Sequence, residues 1–139
     1  MQLYGSSLVV AADGREARVF IERRRGGPLD EITSRLGDLT SPPLLRRAQG
    51  GQAMHLATPL ERQEMDFLTR LGERLDCLAR SEHTNEVVLF APPRALGLLK
   101  AAAPATLKRR LAASEPHERT QESPSQIREA LVRLRVRSD

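Results

Sequence analysis

Two short runs of β-forming residues, Leu8-Val9-Val10-Ala11-Ala12 and Ala17-Arg18-Val19-Phe20-Ile21, stand on either side of Asp13-Gly14. An Asp-Gly dipeptide between two such runs predicts a β-hairpin, because it tolerates the positive φ of tight turns. A third apolar run, Glu86-Val87-Val88-Leu89-Phe90-Ala91, ends at Pro92-Pro93 and has the length of a strand. Its unbroken apolar character predicts burial on both faces, hence a place in the interior of a sheet beside the first strand. A hairpin combined with a distant, doubly buried strand leaves few alternatives to a mixed sheet.

Between these runs the pattern changes twice. Arg23-Arg24-Arg25-Gly26-Gly27-Pro28 breaks the second strand, and Leu29-Asp30-Glu31-Ile32-Thr33 reads as a short edge strand blunted by charge. Residues 36–58 carry no sustained period and hold Gly37, Pro42, Pro43, Gly50 and Gly51, which predicts one long loop, the least ordered internal segment. From Pro59 to Arg80, Leu60, Glu64, Leu68, Leu71, Leu75 and Leu78 recur at three- and four-residue steps, flanked by Met65 and Phe67. Thr58 as N-cap, Pro59 at the first position and Glu61 in the first turn start this helix. Cys77, one residue from the leucine stripe, is expected to pack as a small side chain. A short helix over Arg94–Ala102, a helical turn and short strand over Thr106–Ala113, and an amphipathic helix after Glu122-Ser123-Pro124 complete the chain. In the last helix Ile127, Ala130, Leu131 and Leu134 face inward. The expected fold class is α/β: one domain over residues 1–139, with helices on a mixed sheet that opens with a β-hairpin.

Composition narrows the function classes. The chain has 139 residues, enough to bury roughly two-thirds of its unfolded surface. Its net charge is +4, and all but Lys100 and Lys108 of its 22 basic residues are arginine. A modest positive excess permits an RNA or other anionic partner without requiring one. Aromatic residues are 3%, poor material for a base-stacking platform. One cysteine excludes an internal disulfide framework, and no apolar stretch is long enough to span a membrane. A cytoplasmic location is therefore expected.

Two segments carry a resemblance. Residues 8–20, from Leu8 through Asp13-Gly14 to Phe20, resemble the opening of the bacterial host attachment proteins. Val87-Val88-Leu89-Phe90-Ala91-Pro92-Pro93-Arg94-Ala95-Leu96-Gly97 resembles their second hallmark, a strand running into a Pro-Pro-Arg turn and a helix. That family is in turn similar to the middle domain of archaeal and eukaryotic class-I peptide-chain release factors, which implies a ribonuclease-H-like sheet. Gly50-Gly51-Gln52 stands before the long helix, where the release-factor domain carries a Gly-Gly-Gln loop that enters the peptidyl-transferase centre. The resemblance implies a catalytic tip at Gly50, Gly51 and Gln52. Glycines there admit close approach to RNA, and the Gln52 N–H would donate to the oxyanion of ester hydrolysis. The flanks differ from the release-factor loop: Ala48-Gln49 precede and Ala53-Met54-His55-Leu56 follow.

Arg46, Arg47, His55 and Arg94 are the matching candidates for nucleic-acid contact, with the ribosome or tRNA as partner. Arg94 also suits an anion at a helix N-terminus, or a turn-capping role. The alternative class is a non-enzymatic module that binds another protein. Asp13 at a strand end admits a metal-carboxylate reading, but no partner acids stand at suitable spacing and the turn reading is favoured. His55, His83 and His117 lie far apart, so no metal site is expected, and no cofactor fingerprint is present.

Overall fold

A computed structural model describes residues 5–39 and 58–138. Strands β1 (Ser7–Ala12) and β2 (Ala17–Glu22) pair antiparallel, with Val10 opposite Val19 and Ser7 opposite Glu22. This is the expected hairpin, but its turn works differently. Asp13 Oδ1 accepts the N–H groups of Arg15 and Glu16, both at 2.8 Å, and the Asp13 N–H donates to the Glu16 carbonyl at 3.0 Å. Positive φ among the described glycines is confined to Gly26 and Gly37, so Gly14 does not supply the turn conformation. The aspartate side chain shapes the loop by standing in for a backbone acceptor. Gly14 matters for space instead: a Cβ there would meet Glu64 Cγ at 2.9 Å.

Strand β3 (Leu29–Glu31) pairs antiparallel with β2 at the sheet edge, shorter than the run that predicts it. A 3-10 turn, Thr33–Leu36, follows where the strand was expected to end in a free loop. Leu36 and Leu39 are buried, so the first residues of the expected 36–58 loop are pinned to the core. The remainder of that loop, including Arg46, Arg47, Gly50, Gly51, Gln52 and His55, lies outside the described residues.

Helix α1 (Pro59–Ser81) starts with a reciprocal cap: the Glu61 N–H donates to Thr58 Oγ1 at 3.1 Å, and the Thr58 N–H donates to Glu61 Oε1 at 2.9 Å. Leu68, Leu71, Leu75 and Leu78 are buried as the stripe requires, joined by Phe67 and Ala79. Two residues depart from expectation. Leu60 is 59% exposed, because it sits in the first turn at the helix's solvent end. Cys77 is exposed, because two positions past Leu75 is more than half a turn around the helix.

Strand β4 (Glu86–Phe90) lies parallel between β1 and β5 (Leu111–Glu115), in the interior position its composition demands. Helices α2 (Pro93–Ala102) and α3 (Ala105–Arg110) connect β4 to β5, and α4 (Pro124–Ser138) closes the fold. The five strands run in the order β3-β2-β1-β4-β5. Alternate residues feed two cores. Leu8, Val10, Val19, Ile21, Val87 and Leu89 meet the helices that precede β5, and Val9, Ala11, Phe20, Val88 and Phe90 meet α4 through Ile127, Ala130, Leu131 and Leu134. All six residues of β1 are buried, the result of paired neighbours on both sides and helices on both faces. The chain is thus a small α/β domain on a mixed sheet. Among the described residues no helix is long and apolar enough to cross a membrane.

Candidate functional site

Among the hollows lined by charged side chains on the described surface, two lie at the strand ends or the margin of the sheet. The first lies at the carboxyl ends of β1 and β4, parallel neighbours whose chains leave in opposite directions. β1 turns back into β2, and β4 passes through α2 and α3 to β5. Divergence of this kind opens a crevice beyond the strand ends, the place where open α/β sheets receive ligands. A hollow of about 310 Å³ is present there, lined by Asp13, Gly14, Arg15, Glu64, Pro92 and Arg94 among others.

Pro92-Pro93 positions Arg94. Pro92 is the N-cap of α2 and makes no side-chain cap bond, and Pro93 occupies the first helical position, where its missing N–H costs nothing. Arg94 follows at once and reaches back to α1, with Nε 3.2 Å from Glu64 Oε1 and Nη2 3.6 Å from Glu61 Oε2. Glu61 has its carboxyl held below the usual range, chiefly by the Thr58 backbone N–H and then by the Thr58 hydroxyl, against the opposing effect of burial and with a lesser contribution from the Arg94 charge. The lining carries two carboxylates, Asp13 and Glu64, and two guanidiniums, Arg15 and Arg94. The crevice is mixed in charge, with no excess of either sign in its lining. Arg94, a candidate for contact with nucleic acid, has its guanidinium turned to the protein's own glutamates. Asp13 directs Oδ1 to its own turn, and among the described residues no group of three metal-ligating side chains comes together.

The second place is the margin of the sheet at β5. A hollow of about 460 Å³ runs beside this strand, lined by Lys100, Lys108, Leu111, Ala112, Ala113 and Ser114. Lys100 comes from the last turn of α2 and Lys108 from the last turn of α3. Both are exposed, as is Arg109 next to Lys108. None of the three side chains has an ion-pair or hydrogen-bond partner among the described residues. The one carboxylate of the strand, Glu115, is taken up by Arg119 at 2.8 Å and by Arg137. Burial alone would push the Glu115 carboxyl up, but these two arginines outweigh it and hold it below the usual range. The charge left over at this margin is positive.

The Arg23-Arg24-Arg25 run resolves into turn structure. Arg23 pairs with Asp30 at 3.4 Å, Arg25 approaches Glu86 at 3.7 Å, and the Arg24 carbonyl accepts the Gly27 N–H at 2.8 Å. The lysine margin was not singled out from sequence. The one available signal was that the chain's two lysines stand eight positions apart, on the approach to a short strand.

The family model described as "Protein required for attachment to host cells" matches residues 8–131. No curated protein matches the chain significantly. Among solved structures the chain is similar to a ROK hexokinase from Thermus thermophilus, at 17% identity and a TM-score of 0.48. The alignment takes in 99% of this chain and 60% of the hexokinase, so the chain spans about three fifths of that protein's length.

Proposed function

This chain belongs to the family of proteins required for attachment to host cells, and on that premise we propose that it is a binding module for an anionic partner. The observation that carries this reading is the contrast between the two surfaces. At the strand-end crevice the Arg94 guanidinium is engaged by Glu61 and Glu64, whereas at the β5 margin Lys100 and Lys108 flank an open hollow and have no partner among the described residues. Unneutralised charge of one sign attracts and orients a partner of the other, and this acts on encounter rate and selectivity more than on raw affinity. The test is retention on immobilised polyglutamate at low salt. The native chain is retained and elutes with salt, and the double variant Lys100→Glu, Lys108→Glu elutes earlier. Equal elution of the two would overturn the assignment of the surface.

A second reading takes the anionic partner to be ribosomal RNA or tRNA in the cytoplasm. It is supported by Gly50-Gly51-Gln52 and by the place of that string before Pro59, as in the release-factor middle domain. On this reading the tip acts only on the ribosome, hydrolysing peptidyl-tRNA, with Arg46, Arg47, His55 and Arg94 as supporting contacts. Pelleting with ribosomes at low salt and release at high salt supports it. Release activity lost in Gly51→Val or Gln52→Pro, the latter lacking the proposed N–H donor, supports the catalytic step. A chain that stays in the supernatant with ribosomes yet is retained by polyglutamate leaves the first reading standing alone.

A further inference from the structure

We propose that the outer edge of β5 is a docking site for an extended acidic peptide, which joins the sheet as an additional strand. The inference rests on the anionic-partner reading above and adds the mode of binding. A strand with one neighbour uses only part of its backbone donors and acceptors, and the rest form a template for another chain. Both edges of this sheet meet that description, but they differ. The β3 edge is three residues long, and its acids are engaged, Asp30 by Arg23 and Glu31 by Arg18 at 3.0 Å. The β5 edge is five residues long and pairs only with β4 among the described residues. A register shift between Val87 and Val88 leaves Ala112 as the extra residue, after which Ala113, Ser114 and Glu115 follow β4 in regular register.

Side-chain size and charge name the occupant. Ala112, Ala113 and Ser114 are small and leave the edge open to another backbone. Lys100 and Lys108 stand over that edge from the two helices packed on one face of the sheet, so they meet the side chains that an added strand directs to that face. In a strand these are every second residue. Glu115, the only carboxylate of β5, is already held by Arg119 and Arg137. A segment with carboxylates at alternate positions therefore finds cations that have no other partner among the described residues, and it pairs with backbone groups that no described strand takes up. A second copy of the chain is the poorer occupant: its own β5 would bring a carboxylate that its arginines already hold.

The probe is a short fluorescein-labelled peptide alternating glutamate and valine, with two comparison peptides. One replaces every glutamate by lysine, and the other keeps the glutamates but is N-methylated at alternate residues so that one edge cannot donate. The measurements are fluorescence anisotropy and the amide exchange of Leu111–Glu115. The acidic peptide is expected to bind and to slow exchange along β5, and both comparison peptides are expected to bind at least about tenfold more weakly. Lys100→Glu with Lys108→Glu should weaken the acidic peptide by about tenfold as well, the scale of two surface ion pairs reversed in sign. Both lysines are exposed, so the variant keeps its fold, which its unchanged exchange pattern in the core strands verifies. Equal binding of the N-methylated peptide would overturn strand addition and leave the anionic-partner reading intact. Failure of both acidic peptides and of polyglutamate to bind would overturn both. Protection of β5 amides that rises with protein concentration in the absence of peptide would show a second copy on the edge and overturn the proposal.

Discussion

Arg135 of α4 places Nη2 2.6 Å and Nη1 2.9 Å from the two oxygens of Glu22, a carboxylate whose side chain is only 1% exposed. The Gly26 N–H donates to the same carboxylate at 2.9 Å. Ser7 stands between Glu22 and Glu86 in the sheet register, and its hydroxyl donates to Glu86 Oε1 at 3.3 Å. One end of the face covered by α4 is therefore closed by a polar network that ties residues 113 apart in sequence.

This network sets an acid limit. Burial would push the Glu22 carboxyl up, but Arg135, the Gly26 N–H and Ser7 together outweigh it and hold it below the usual range. Its folded pKa lies below its unfolded one. Its contribution is therefore full above the ordinary carboxylate range near about 4.3 and is lost as pH falls through that range to the folded value. Glu31, held down chiefly by the Arg18 hydrogen bond, acts in the same direction. Urea midpoints measured from pH 7 to 3 should fall in the acid limb, and Glu22→Gln should shallow that fall. At neutral pH, Arg135→Ala leaves a buried carboxylate without its cation and should cost about 3–5 kcal/mol.

Helix α1 provides a paired test of orientation. Leu71 is fully buried and Leu60 is 59% exposed. Leu71→Ala should lose about 2–5 kcal/mol by equilibrium unfolding, and Leu60→Ala should stay within about 0.5 kcal/mol of the native chain. Similar losses at both positions would contradict the packing described.

Gly72 lies inside the same helix, facing α2 and the turn after it. A Cβ there would stand 3.5 Å from Ala103 Cα and 3.7 Å from Leu99 Cδ1, ordinary contact distances. Alanine is the better helix former, so Gly72→Ala should raise stability by about 0.5–1 kcal/mol, read as a higher melting temperature. A lower melting temperature would mean that the helices meet more tightly than these distances imply.

Cys77 is exposed, with Arg80 Nη2 3.7 Å from its sulfur. One thiol per chain should react with a chromogenic disulfide reagent without denaturant. A thiol that reacts only in urea would place Cys77 in the core after all.

Much of the framework was legible because it rests on local periodicity. The hairpin runs, the leucine stripe of α1, the apolar run of β4 and the inward face of α4 each carry their burial in a few adjacent residues. What sequence hid is what depends on distant partners. Glu22 sits at the end of a strand before three arginines and looks like the start of a charged turn, and only Arg135, far along the chain, makes it a buried ion pair. Arg94 looked like a free cation until α1 brought Glu61 and Glu64 to it. Lys100 and Lys108 are ordinary surface lysines in sequence, and their significance lies in the lack of a neutralising partner among the described residues. Asp13-Gly14 marked the turn correctly but for the wrong reason: the side-chain oxygen shapes it, not the freedom of the glycine.

Among the described residues, the layer that completes the second face consists of one helix, α4, which follows the other described elements in chain order. During folding the sheet can assemble against α1, α2 and α3 before α4 docks, with Val9, Phe20, Val88 and Phe90 still uncovered on the other side. Until that helix packs, the partly folded domain presents a sticky apolar plane to everything around it. Undocking of this helix alone would therefore expose the chain to aggregation and to chaperone capture, even though most of its residues are already in place.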